Sequence, residues 1–198
     1  MQKEKSLATI ILAAGNSSRL KRPKQLLVWQ GESLLQRAVR LASEAIGEEI
    51  VVVYGAFKSQ IEDHLEQLPV AAIYHEHWQE GMGSSLQKGL KALKRASYEG
   101  FLIMVCDQPF LTTQHLTTLK ESFHTKNTIA VASSYMGSFG VPAILASHLL
   151  NPDSLGKKAQ GAKQILKNLS PSQLSLIPFP KGEIDIDTEE DWENLQIC

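Results

Sequence analysis

The stretch SLATIILAAGNSSRLKRPKQLL, residues 6–27, decides the architecture. Its first half is a continuous apolar run that closes on small residues, the composition of a central strand buried on both faces of a parallel sheet. From Gly15 onward it holds two serines and four cations, Arg19, Lys21, Arg22 and Lys24, before apolar character returns at Leu26 and Leu27. Cations packed this closely repel one another unless an anion joins them. The net charge of the chain is only −1, so this basic loop is a local device and no nucleic-acid partner is expected.

Outward from that stretch, strand and helix patterns alternate. Residues 33–45 carry a helical apolar stripe with Ser33 placed to cap it. A second buried strand, 49–55, closes at Gly55; a polar helix near 57–67 and a short strand at 70–75 follow. Residues 84–96 place Leu86, Leu90 and Leu93 on one helical face, with Ser84 and Gln87 spaced as a capping box. GFLIMVCDQP, 100–109, is another buried strand, followed by a helix capped by Thr112 or Thr113. Further strands are predicted at 128–134 and 141–146 and a helix near 159–169, with 147–181 otherwise irregular. Thr188 and Asp191 mark a last capped helix. The alternation predicts an α/β domain spanning 1–198: βαβ units, a mostly parallel central sheet, and helices on both faces, three layers in all.

In such sheets ligands bind beyond the carboxyl ends of the strands. That rule selects residues 13–24, Gly55, 76–85 and Asp107. Ala13, Ala14 and Gly15 expose backbone that a phosphate can approach, and Gly15 is free to adopt positive φ. Ser17 and Ser18 add donors; Arg19 can grip phosphate oxygens in a fork, and Lys24 adds a point charge. Neither a Walker A sequence nor a G-x-G-x-x-G after the first strand is present, so this is a cradle of another kind. Asp107, at a strand end beside Gln108-Pro109, can hold Mg²⁺ next to a triphosphate or simply begin a turn. Asp185 and Asp187 offer further carboxylates before the last helix, where favourable helix-end electrostatics is the simpler role. The glycine loop EGMGSSL, 80–86, opens a helix whose amides suit an anion or a base edge, or merely caps it. His75 and His77 read as surface residues, Cys106 as a small apolar residue, and the three tryptophans as scattered. The histidines and two cysteines have no zinc-like spacing, and two distant cysteines suit a reducing compartment. The apolar run Leu7–Ala14 is too short for a signal peptide or a membrane span, which makes a cytoplasmic protein the expectation.

Five segments together resemble a known family. LAAGNSSRLKRPKQLL is similar to the signature L-A-[AG]-G-x-S-x-R-x-x-x-x-K-x-L of nucleotidyltransferases with a glycosyltransferase-A-like, Rossmann-like fold. EGMGSSLQKGL, CDQPFLT, GVPAIL and DIDTEEDW resemble, in order, segments of the molybdenum cofactor cytidylyltransferases, a MobA-like branch. The resemblance implies CMP transfer from CTP to the terminal phosphate of molybdopterin, with release of pyrophosphate and Mg²⁺ as cofactor. It assigns Arg19, Lys24 and Asp107 to catalysis, Arg19 and Lys24 to phosphate binding as well, and Asp107 to metal. It makes Asp187 a second metal ligand. Leu12, Ala13, Ala14, Gly15, Ser17, Gly81, Gly83 and Ser84 match nucleotide-contacting positions. A molybdenum hydroxylase is the implied recipient of the product. The family often carries Gly-Asp-x-Gly-Ala-Arg near residue 160, where this chain keeps Gly161 and Ala162 but has Ala159 and Lys163. That departure keeps transfer to a sugar phosphate or other small phosphate acceptor open; use of GTP is a second alternative, and a non-enzymatic carrier of the cofactor a third, against which the intact Arg19, Lys24 and Asp107 argue. Ala14 favours CTP, because the resembling guanylyltransferases tend to have glycine there.

Overall fold

The computed structural model describes residues 6–47, 49–93, 98–126, 128–152 and 161–197. A seven-stranded sheet forms its centre. In chain order its strands are β1 (Leu7–Ala13), β4 (Ile50–Tyr54), β5 (Ala71–Tyr74), β6 (Gly100–Val105), β7 (Ala130–Tyr135), β8 (Ser138–Ala146) and β9 (Leu174–Pro178). Their spatial order is β5-β4-β1-β6-β8-β7-β9. All neighbours run parallel except β8, which is antiparallel to both β6 and β7. Two short strands, β2 (Val28–Trp29) and β3 (Glu32–Ser33), make a separate hairpin. The helices are α1 (Leu34–Ala45), α2 (Lys58–Leu65), α3 (Met82–Ala92), α4 (Thr113–Thr125), α5 (Ala162–Lys167) and α6 (Glu189–Ile197).

Every residue of β1 is buried, and its alternation feeds two cores. Leu7, Ile11 and Ala13 join α1, α2 and α4 through Leu35, Ile61 and Leu119. Ala8, Ile10 and Leu12 join α3 and α5 through Leu86, Leu90 and Leu166. A strand buried on both faces needs apolar residues at both parities, which is why β1 shows no polar alternation. A third, smaller core packs α6 under the basic loop: Trp192 and Leu195 meet Leu20, Leu27, Leu34 and Ile186. Ser33 caps α1 in a reciprocal box with Gln36, and Thr112 caps α4. Thr188 and Asp191 exchange hydrogen bonds at the start of α6.

Several expectations are corrected. Ser84 does not cap α3: the cap residue is Gly81, Ser84 lies one turn inside, and Gln87 donates to the Pro152 carbonyl instead. The stretch 147–181 contains β9, which pairs with β7 over five registered positions. The helix near 159–169 is α5, beginning at Ala162, which is buried, while Lys163 is exposed; Ala159 lies outside the described residues. No helix among the described residues is long and apolar enough to cross a membrane.

Candidate active site

The carboxyl ends of β1 and β6 meet the start of α3 around a cleft of about 330 Å³. Leu12 through Asn16, Lys24 and Gln25 line it from the first loop, and Val105, Cys106 and Asp107 from the end of β6. Trp78, Gln79, Gly81, Met82 and Ser85 complete it. Of the nucleotide positions implied by resemblance, Leu12, Ala13, Ala14, Gly15, Lys24 and Gly81 therefore gather here together with Asp107. Ser17, Arg19, Gly83, Ser84 and Asp187 are not among the lining residues.

The basic loop holds its shape by means other than those expected. Gly15 does not adopt positive φ; Ser17 (φ 46°) and Lys21 (φ 56°) do. The Ser17 hydroxyl accepts from the Lys24 amide at 3.2 Å, and the Lys21 amide donates to the Ser17 carbonyl at 3.0 Å, so the turn is closed by its own hydrogen bonds. A side chain at Gly15 would meet no atom within 4 Å; bare backbone faces open space there. Gln25, buried at 1 % exposure, carries a duty that the sequence reading missed. Its Nε2 donates to the carbonyls of Ala13 (2.7 Å) and Gly15 (3.1 Å), which clamps the loop across the end of β1. A glutamine next to the last lysine of the basic loop was the available signal.

The four cations of the loop do not stand as a bare cluster. Lys24 Nζ donates to Asp107 and, at 2.8 Å, to Asp187. Arg19, 64 % exposed, pairs with the other oxygen of Asp187 at 2.6 Å, and Arg22 pairs with Glu189. Burial alone would pull the Lys24 ammonium down; the charge of Asp107 and the hydrogen bonds to Asp107 and Asp187 outweigh it and hold the pKa above its ordinary value. The Lys24 hydrogen bond, opposed by burial and aided by Lys24 and Arg19 charge, holds Asp187 below the usual carboxylate range.

Asp187 reaches this place through the backbone. The Ile186 amide donates to the Asp107 carbonyl at 3.0 Å, and the fully buried Ile186 side chain anchors the segment in the third core. Asp191 then accepts from the amides of Asp187 and Thr188, fixing the turn into α6. Asp185 is open to solvent yet crowded by protein atoms; that crowding, with the charges of Asp107 and Asp187, pushes its carboxyl up to about 7. Burial pushes the Cys106 thiol up to about 12, which leaves it inert beside the carboxylates.

The donor set suits a hard divalent cation. Asp107 and Asp187 offer carboxylate oxygens, and Asp107 Oδ1 is buried without a hydrogen-bond partner. Among the described residues no group of three or more ligating side chains comes together. A cation here would take one or two protein carboxylates and draw its remaining ligands from phosphate and water, the habit of Mg²⁺.

Residues 9–174 match the model of the MobA-like NTP transferase domain. The chain belongs to that family. A probable molybdenum cofactor guanylyltransferase of Bacillus cereus (strain Q1) is 27% identical over 93% of this MobA-like transferase and 88% of the relative. Purine catabolism protein PucB of Bacillus subtilis (strain 168) is 28% identical, covering 96% of each. Among solved structures, Rv0371c of Mycobacterium tuberculosis H37Rv superposes with a TM-score of 0.76 at 21% identity, covering 98% of this chain and 99% of that one. The same protein has been solved with manganese. The MobA-like transferase is thus a nucleotidyltransferase, with the α/β fold of that class. Asp187 and α6 lie beyond the matched span, yet Asp187 is one of the two carboxylates that hold Lys24.

Proposed function

We propose that this chain transfers a nucleoside monophosphate, CMP by preference, to the terminal phosphate of a molybdopterin-type acceptor. The observation that carries the proposal is the Lys24 ammonium between Asp107 and Asp187 at the mouth of a loop of bare backbone. Cation, carboxylates and exposed backbone converge where a triphosphate and its counter-ion would lie. The names of the relatives support the molybdenum cofactor as acceptor.

In the reaction an acceptor phosphate oxygen attacks the α-phosphorus in line. One P–O bond forms, the bond to the β-phosphate bridging oxygen breaks, and pyrophosphate departs with the electron pair. The acceptor phosphate is already ionised near neutral pH, so no general base is needed. The protein contributes position and charge. Lys24 offsets charge on the leaving pyrophosphate, and Arg19 reinforces it from the rim. Gln25 keeps the Ala13–Gly15 backbone in place. Asp107 and Asp187 would hold Mg²⁺, which supplies polarisation of phosphate oxygens; manganese in the structure of Rv0371c supports a divalent cation at such a fold.

The base assignment rests on Ala14, which is buried and is one of the residues lining the cleft. A methyl there leaves less room for a purine. One methyl is worth about 1–3 kcal/mol of discrimination. GTP is the second reading, favoured by relatives named guanylyltransferases. Comparing kcat/KM for CTP and GTP in wild type and Ala14→Gly tests it. The expected result is a CTP preference that Ala14→Gly relaxes; a wild-type preference for GTP overturns the cytidylyl assignment and leaves nucleotidyl transfer standing.

A further inference from the structure

His75 follows β5 and is buried at 7 % exposure, contrary to its reading as a surface residue. Its backbone amide donates to the Tyr54 carbonyl at 2.8 Å, extending the pairing of β5 with β4. Its ring Nε2 lies 2.8 Å from Ser84 Oγ. Ser84 Oγ is itself 2.7 Å from the Gly81 carbonyl and donates to it. A hydroxyl has a single proton to give, so the proton in the His75–Ser84 contact comes from His75 Nε2. Burial, reinforced by the Lys88 charge, lowers the His75 pKa, so the ring is a neutral donor at physiological pH.

This relay ends at the wall of the cleft. The Gly81 carbonyl also accepts from the amides of Ser84 and Ser85, at 3.1 and 3.3 Å. Gly81 sits at φ +102°, a conformation suited to glycine, with its carbonyl as the hub of the first turn of α3. Gly81, Met82 and Ser85 line the cleft; His75 and Ser84 stand behind them. On the other side Trp78 presses against Gly55, where an added Cβ would fall 2.5 Å from Trp78 Cβ. The segment 75–85 is thus fastened to the sheet at His75 and Gly55, and of these two fastenings the one at His75 reaches the start of α3.

We propose that His75 is a positioning residue for the nucleotide: its Nε2–H, through Ser84, fixes Gly81 and so the wall formed by Gly81, Met82 and Ser85. The inference rests on the reading that this cleft takes a nucleoside triphosphate. Chemistry occurs at Lys24 and Asp107, so loss of the relay loosens ground-state and transition-state binding alike and shows in KM rather than kcat.

The test uses the full chain with CTP and GTP, steady-state kinetics, thermal unfolding, and calorimetric binding of each triphosphate. His75→Leu and Ser84→Ala should each raise KM for the triphosphate about tenfold and leave kcat within about threefold. The double variant should be no worse than either single one, because one relay is cut twice. His75→Gln keeps an N–H donor at similar reach and should return KM to within about threefold of wild type. If His75→Leu fails to fold, Ser84→Ala carries the test, since it removes the relay without touching the ring. A His75→Gln variant as impaired as His75→Leu, or folded variants with a lowered Tm and unmoved KM, overturns the inference alone. A wild-type protein that binds neither triphosphate overturns the nucleotide reading and the inference with it.

Discussion

Replacing Lys24 by alanine should move metal binding and turnover in opposite directions. The Lys24 ammonium occupies the space between Asp107 and Asp187 that a divalent cation would need. At the 2.8 Å separation from Asp187, a pair of unit charges is worth about 1.5 kcal/mol in water and about 6 kcal/mol at an effective dielectric of 20. Lys24 and Asp107 are mostly buried, but Asp187 is 41 % exposed, so screening holds the effect to the lower part of that range. Removing a competitor worth about 1.4–2.8 kcal/mol tightens cation binding about 10- to 100-fold. Turnover should nevertheless fall about 10²-fold, the scale of a lost charge-stabilising donor. Titration of nucleotide-free protein with Mn²⁺, followed by calorimetry or paramagnetic resonance, measures the first quantity, and pyrophosphate release measures the second. The variant should also have a lower Tm without metal and recover it in Mg²⁺, because two carboxylates are left facing each other. Equal or weaker Mn²⁺ binding by a folded Lys24→Ala variant would refute the reasoning, since it would mean that the lysine does not compete for those oxygens.

Asp107→Asn should nearly abolish transfer and flatten its Mg²⁺ dependence, with Asp187→Asn doing less; an unchanged Mg²⁺ curve for Asp107→Asn would reduce that residue to a turn former. Gln25→Leu removes two hydrogen bonds to the Ala13 and Gly15 carbonyls and should cost about 2 kcal/mol of stability with a matching rise in KM, visible in urea unfolding and initial rates. His115 is held neutral by burial, its pKa lowered to about 4, and its ring bonds Ser133. The unfolded chain takes up this proton near pH 6.5 and the folded one only near pH 4, so the stability His115 confers is complete above about pH 6.5 and is lost as pH falls toward 4. His115→Gln should make Tm less steep across that window, and an identical pH slope for both proteins would show that another group governs it.

Features governed by near neighbours in the chain are legible in the sequence. The apolar residues at both parities of β1, the Ser33–Gln36 and Thr188–Asp191 caps and the loop between β1 and Lys24 depend on side chains within a few positions of each other. The features that local patterns hide depend on distant partners. β9 ends in proline and has no clean alternation, and it exists because β7 offers it an edge. The hairpin of β2 and β3 turns on Gln30 and Gly31, both at positive φ, where Asn-Gly would have announced it. Ser84 has the spacing of a cap but is drawn inside α3 by His75, nine residues earlier on another element. Gln25 and Lys24 are adjacent in sequence, yet one grips the end of β1 and the other reaches across to β6 and the start of α6. No local pattern distinguishes those two duties.

The hydrogen bond from the Ile186 amide to Asp107 has a consequence for the order in which the protein is made. Lys24 and Asp107 are 83 positions apart, and Lys24 and Asp187 are 163 apart. On the ribosome, β1, β4 and β6 can associate while the segment that brings Asp187 is still unsynthesised. A nascent chain at that stage displays a basic loop whose arginine and lysine have only Asp107 for company. Arrival of residues 186–189 brings Asp187 to Arg19 and Lys24, brings Glu189 to Arg22, and seats α6 beneath the loop. Until that segment is in place the loop lacks Asp187 and Glu189, and afterwards any ligand of Lys24 must part it from its two carboxylates.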